Sequence, residues 1–234
     1  MRNARVLTLA LVAASMAGTA AAGPIVSGDG ESWTSMLSAV CEQVGSGSPC
    51  GGVTVAVDPH PAWQDQGLTF PVASWVSYAD TGYQGSVLAP HSGSGANPAG
   101  QTAIMELTES FIGQAGSAVS VRFWADDTLA VYFNDVLMKS AIFSQGTCAD
   151  QPIGCETNEY WDLNATSTGG VDILRLVAFQ VGNGTDTSSN PFGVLYAGSF
   201  VEPPTAPVPV PEPVTLSMLA VGLAGIGAKR LRRR

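Results

Sequence analysis

The sequence predicts an all-β protein, an antiparallel β-sandwich of jelly-roll type, and three observations carry that expectation. Short stretches rich in Val, Phe, Trp and Tyr recur along the middle of the chain, and such residues suit a pleated, half-buried surface. Clusters of Gly, Asn, Asp and Ser separate these stretches and supply the turns. The pattern lacks the β–α–β alternation that a parallel sheet requires. The expected strands cover residues 53–57, 73–78, 103–109, 119–124, 129–133, 173–180 and 194–200. In 119–124, Val119, Val121 and Phe123 fall on one face, with Ser120 and Arg122 on the other. In 173–180, Ile173, Arg175, Val177 and Phe179 alternate with Leu174, Leu176 and Ala178, so that strand is expected to be covered on both faces. One helix is expected near the start, where Trp33, Leu37, Val40 and Val44 recur at helical spacing. Ser32 would cap it and Gly45 would stop it.

Both ends of the chain have the composition of targeting segments and are set apart from the fold. Residues 1–22 form an expected signal peptide: Arg2 and Arg5, an apolar run over 6–17, then Ala20, Ala21 and Ala22 as a small-residue cleavage site, cut after Ala22. Residues 23–201 are the expected sandwich domain, and 202–210 a proline-rich spacer held extended by residues without amide donors. Residues 211–234 open with Pro211, Glu212 and Pro213, continue through an apolar stretch at 214–228, and close on Lys229, Arg230, Arg232, Arg233 and Arg234. At about 1.5 Å per residue that stretch makes a transmembrane helix of about 22 Å, short of a hydrocarbon layer of about 30 Å. The basic tail would stay on the cytoplasmic side.

Spacer, Pro-Glu-Pro triplet, short apolar helix and arginine cluster together resemble the PEP-CTERM sorting signal of Gram-negative bacteria. The resemblance implies an exosortase as partner, transient attachment to the inner membrane, and delivery to the cell surface or the extracellular polysaccharide matrix.

The charge is unevenly spread. The whole chain carries a net charge of −9, but between residues 23 and 210 only Arg122, Lys139 and Arg175 oppose eighteen acidic side chains, a formal charge of −15. Such a surface repels a phosphate backbone, so nucleic acid is not an expected partner. Four cysteines in an exported chain are expected to be oxidised, and their spacing favours Cys41 with Cys50 and Cys148 with Cys155. Neither pair has the short spacing of a zinc knuckle, and only His60 and His91 could assist one.

The most suggestive stretch runs from Val121 to Asp135. A strand leads into Asp126-Asp127, and an aromatic strand follows and ends on Asn134-Asp135, a turn dipeptide. This resembles the hairpin of PA14-like and galactose-binding-like sandwiches, many of which bind carbohydrate. The resemblance implies that Asp126 and Asp127 could hold Ca²⁺, a hard cation suited to carboxylate oxygens; in the plainer reading both aspartates cap a turn through backbone amides. Trp63, Trp75, Tyr83 and Trp161 are expected in the core, and would form a platform for sugar rings if exposed. No nucleophile elbow, metalloprotease helix, phosphate loop or dinucleotide fingerprint occurs. The expected function is therefore that of a non-catalytic surface or matrix protein, with a carbohydrate-binding module as the alternative. A hydrolase would need two carboxylates facing each other across a cleft.

Overall fold

The structure is a computed structural model and describes residues 21–45, 50–65, 72–93, 100–143, 153–182 and 184–204. The expected signal sequence up to residue 20, Cys148, the spacer from 205 and the whole sorting segment 211–234 lie outside the described residues. Thirteen elements follow in order: β1 (Ala22–Val26), β2 (Ser32–Ser35), α1 (Ser38–Val44), β3 (Cys50–Val53), β4 (Val55–Ala56), β5 (Val76–Ser77), β6 (Met105–Ile112), β7 (Ala118–Asp126), β8 (Thr128–Phe133), β9 (Val136–Lys139), β10 (Trp161–Thr166), β11 (Val171–Phe179) and β12 (Gly193–Val201).

The strands form two six-stranded antiparallel sheets. Sheet A has the order β10-β7-β12-β5-β4, with β1 also paired to β12, and sheet B has the order β3-β2-β6-β11-β8-β9. The alternation read from the sequence decides which side chains meet between them. Val119, Val121 and Phe123 of β7 and Val194 and Tyr196 of β12 turn inward from sheet A. They pack with Met105 and Leu107 of β6, Leu129 and Val131 of β8, and Leu174 and Leu176 of β11. Burying each such side chain contributes about 1.5–3 kcal/mol.

Every expected strand has an observed counterpart, although residues 53–57 divide between β3 and β4, and 73–78 shrinks to β5. β11 is packed on both sides as expected, since Val177 and Phe179 join a small outer cluster with Ala103 and Ala130. β1, β2, β9 and β10 were not foreseen. β2 takes the place of the first turn of the expected helix, so α1 begins at Ser38 rather than after Ser32. Trp33 explains the change: it is buried against Tyr78 with ring centroids 5.6 Å apart, and its indole N–H donates to the Val53 carbonyl at 3.1 Å. Gly45 stops the helix as predicted, with φ at 69° in the left-handed region, and its amide bonds the Glu42 carbonyl.

The Asp126-Asp127 segment is also a correction. β7 belongs to sheet A and β8 to sheet B, so the aspartates mark a crossing between layers, not the turn of a hairpin. The hairpin proper joins β8 to β9 through Asn134 and Asp135, at φ 50° and 62°. Cys41 and Cys50 form a disulfide that ties α1 to β3, and Cys155 is also disulfide-bonded.

A second anchor holds the turns at the far end of sheet B. Asp172 is fully buried and accepts hydrogen bonds from Ser167 Oγ at 2.6 Å, Thr168 Oγ1 at 2.8 Å, Asn134 Nδ2 at 2.9 Å and the Thr168 amide at 3.1 Å. Burial alone would raise its pKa, but these donors together outweigh it and hold the carboxyl below the ordinary aspartate range.

Candidate functional site

The inward side chains of sheet A fill the core, so its outward side chains decide what the sheet offers to a ligand. On β7 these are Ser120, Arg122, Trp124 and Asp126; on β12 they are Leu195, Ala197 and Ser199; on β10 they include Asp162. Part of this face is roofed. Trp63 and Trp75 stack at 4.2 Å between centroids and lie over Leu195 and Trp124 together with Val57, Ala73 and Cys155. Gly193 permits this roof, since a Cβ there would press on both tryptophan rings at 3.3 Å. Backbone bonds fasten it: the Gln64 amide donates to the Cys155 carbonyl at 2.7 Å, and the Trp75 indole donates to the Gln64 carbonyl at 2.8 Å.

Beside the roof the face stays open as a groove of about 800 Å³, within the range of small-ligand sites. Its floor is the β7–β12 ladder with Ser120, Arg122, Ala197 and Ser199. Thr157, Asn158 and Tyr160 rise on one side, and Ala22, Gly23 and Pro24 of β1 rise on the other. Arg122 forms a two-pronged ion pair with Asp162: Nε donates to Oδ1 at 2.6 Å, and one terminal nitrogen donates to Oδ2 at 2.8 Å. The guanidinium carbon also sits 3.5 Å from the centre of the Tyr160 ring. Tyr160 in turn meets Trp124 edge-on at 6.0 Å. The groove thus joins an apolar aromatic wall to a rigid donor–acceptor pair.

Trp124 and Tyr160 were not among the aromatic residues the sequence suggested as a platform. Trp63 and Trp75 are buried in the roof, Trp161 turns inward to stack on Phe123 at 6.0 Å, and Tyr83 packs edge-on against His60 at 5.0 Å. The signal that could have singled out Trp124 was its parity with Arg122 on the polar face of β7. His60 Nδ1 accepts the Ala62 amide, and His91 is half-buried with Nε2 2.7 Å from the Val181 carbonyl. Neither lines the groove.

Asp126 and Asp127 lie one step beyond the groove, both buried. Asp126 Oδ2 accepts the Trp63 indole N–H at 2.8 Å, while Asp127 Oδ2 accepts the amides of Val181 and Gly182 at 2.6 and 2.8 Å. The two carboxyls are chain neighbours buried at the same crossing, so each is felt by the other. Burial first, and the Asp127 charge second, push the Asp126 carboxyl far above its ordinary range. The pair therefore pins the roof and the chain after β11 to the sheet crossing. Among the described residues, no cluster of three His, Cys, Asp or Glu side chains is suitably placed to hold a metal.

A second carboxyl pair is half-buried at one hydroxyl. Glu109 of β6 and Glu31, just before β2, each lie 2.7 Å from the Tyr196 hydroxyl oxygen. One hydroxyl proton cannot serve both contacts, so the group carries a further proton on a glutamate. Burial, followed by the neighbouring Glu109 charge, drives Glu31 up to about 7 against the pull of the Tyr196 bond, and burial raises Glu109 as well. Both carboxyls close on the same tyrosine hydroxyl, an arrangement unlike a glycosidase pair that flanks a sugar and a water.

No protein-family model matches the chain, and no curated protein matches it. Solved structures similar to it include a family 35 carbohydrate-binding module from Clostridium thermocellum. That likeness has a TM-score of 0.36 and 11% identity, over 76% of this chain and 98% of that one. A GH26-CBM35 β-(1,4)-mannanase from Podospora anserina is similar at a TM-score of 0.31 and 10% identity, over 82% and 30% of the two chains. A β-glucosidase from Kluyveromyces marxianus gives 0.29 and 17%, over 45% and 12%. None of these three superposes closely enough to transfer a binding residue.

The carboxyl pairs make stability depend on pH in a defined direction. A carboxyl with a raised folded pKa stabilises the fold while protonated, so the contribution of Glu31 is present below about 4.5 and is lost as pH climbs through about 7. The thermal midpoint is expected to fall between pH 5 and pH 8. Glu31→Gln should shrink that fall, leaving the part due to Asp126, and a wild-type midpoint that stays flat or rises over this range would refute the proton assignment. Asp172 acts in the opposite sense, its contribution being lost only on acidification below the ordinary aspartate range.

Proposed function

We propose that this is an exported surface or matrix protein whose β-sandwich binds carbohydrate in the groove on the outward face of sheet A. The observation that carries the reading is the combination on one open face of Tyr160 and Trp124 with the Arg122–Asp162 fork. Sugar rings offer alternating C–H faces and vicinal hydroxyls, and an aromatic wall next to a fixed donor–acceptor pair matches both. Asn158, Ser120 and Ser199 add uncharged polar groups along the trough. Affinity electrophoresis of the purified exported protein through gels containing soluble polysaccharides tests this reading. Retardation by at least one polymer is expected, with tenfold or greater weakening in Asp162→Ala; free migration through every gel would end it.

Delivery by an exosortase is the second part of the proposal and rests on Pro211, Glu212, Pro213, the short apolar stretch and the basic tail. Mass spectrometry of the mature protein is expected to find a chain that begins at Gly23 and has lost 214–234. Recovery of an intact Leu216–Arg234 segment from the cell surface would contradict it.

A calcium-dependent version of the carbohydrate reading rests on the burial of two neighbouring carboxyls, Asp126 and Asp127, at the sheet crossing. A hard divalent cation would relieve the repulsion between them, and its oxygen preference suits these carboxyls. Under this reading, Ca²⁺ raises the thermal midpoint of the wild type relative to chelator and leaves Asp126→Asn unaffected. Equal wild-type midpoints with calcium and with chelator would dismiss the cation.

A further inference from the structure

The groove contains one basic residue, and that residue is already spent. Both carboxylate oxygens of Asp162 occupy the fork of Arg122, at 2.6 and 2.8 Å, and the Tyr160 ring lies 3.5 Å from its guanidinium carbon. An anionic sugar reaching Arg122 would have to displace an internal carboxylate that is held at both ends and costs no association entropy. Among the described residues no other cation lines the groove. Lys139 and Arg175 stand on β9 and β11 of sheet B, and Arg175 is paired with Glu106 at 3.5 Å. The surrounding domain carries a formal charge of −15 over residues 23–210, a field that repels polyanions before contact.

Trp124 supplies the second observation. It is 4% exposed and forms part of the groove lining, and its indole N–H is covered and has no hydrogen-bond partner. The other two tryptophans of this face, Trp63 and Trp75, both spend their N–H groups on protein acceptors. A buried donor left unsatisfied costs about 1–3 kcal/mol, and because Trp124 lines the groove, a ligand oxygen that reached Nε1 on a small shift of the covering groups would recover that cost.

We infer that the groove selects uncharged, hydroxyl-rich polysaccharide over uronate or sulfated polymers, with the Arg122–Asp162 pair gripping neighbouring hydroxyls and Trp124 Nε1 donating to a sugar oxygen. The inference rests on the carbohydrate reading above and narrows it to one ligand class. Arg122 keeps donors outside the fork and Asp162 keeps free lone pairs, so the pair presents a donor and an acceptor side by side without net charge. Tyr160 bridges the two features, since it touches Arg122 on one side and Trp124 on the other.

The test compares neutral polymers (galactomannan, xyloglucan and dextran) with polygalacturonate and alginate, by calorimetry on the full exported protein at 50 and 500 mM NaCl. Binding to at least one neutral polymer is expected, changing less than twofold with salt, with the acidic polymers bound at least tenfold more weakly. Replacing Trp124 by β-(3-benzothienyl)alanine keeps the ring shape and removes the N–H. It is expected to weaken binding about fivefold or more while the thermal midpoint of the free protein is unchanged or higher, a combination that a merely structural role would not produce. Acidic polymers bound as tightly as neutral ones, or a steep loss of affinity with salt, would overturn the inference and leave the carbohydrate reading standing. Unchanged affinity in the benzothienyl variant would overturn the donor role of Trp124. No binding to any polymer would overturn the inference and the carbohydrate reading together.

Discussion

β7 and β12 run side by side from Gly193 opposite Asp126 to Phe200 opposite Val119, and this ladder separates two environments with one set of backbone bonds. Val121, Phe123 and Tyr196 point from it into the dry layer between the sheets, while Arg122, Trp124 and Ala197 point the other way into the groove. Because side chains alternate strictly along a strand, a slip of one residue would send arginine into the core and phenylalanine into water. The outward face is thus as firmly registered as the inward one, although few apolar contacts hold the groove itself. Its rigidity is borrowed from the packing underneath.

The layered architecture was legible because that packing is written as alternation in β7 and as two-sided apolarity in β11. What escaped the sequence was coded in signals of another kind. β10 places only Leu163 in the deep core, and its outward Asp162 and Asn164 are polar, so its composition resembles a loop. β1 contains Gly and Pro and overlaps the expected end of the signal peptide. Trp33 and Leu37 are four apart, which suits a helix, yet both spacings from Ser35 also suit a strand, and Trp33's pairing with Val53 and Tyr78 decided between them. The groove was half legible: Arg122 was visible on a polar face, but Asp162 lies forty residues away, and only the β7–β10 register brings the two together.

Buried acids form a theme that composition hinted at and topology explains. A domain with so few cations cannot neutralise its internal carboxyls by ion pairing, so it uses protons and N–H donors instead. Asp172 is held by hydroxyl, amide and side-chain donors; Asp126 and Asp127 take N–H groups from Trp63, Val181 and Gly182; Glu31 and Glu109 share Tyr196. The chain spends its two ion pairs among the described residues, Arg122–Asp162 and Arg175–Glu106, on the outer faces of the two sheets. An acidic protein with this arrangement carries most of its negative field outside and surrounds the carboxyls it does bury with N–H and O–H donors.

The pairing of β1 with the end of β12 sets Gly23 opposite Phe200 and Pro24 opposite Ser199. The first and last described segments of the sandwich therefore leave it at one corner, and that corner also forms the β1 wall of the groove. Under the carbohydrate reading, a leash attached at that corner would start beside the polymer and not at the opposite pole of the sandwich. A protein moored there would work as a short rivet, drawing its catch flat against the mooring, and tension along the leash would be felt first by the strand that borders the catch.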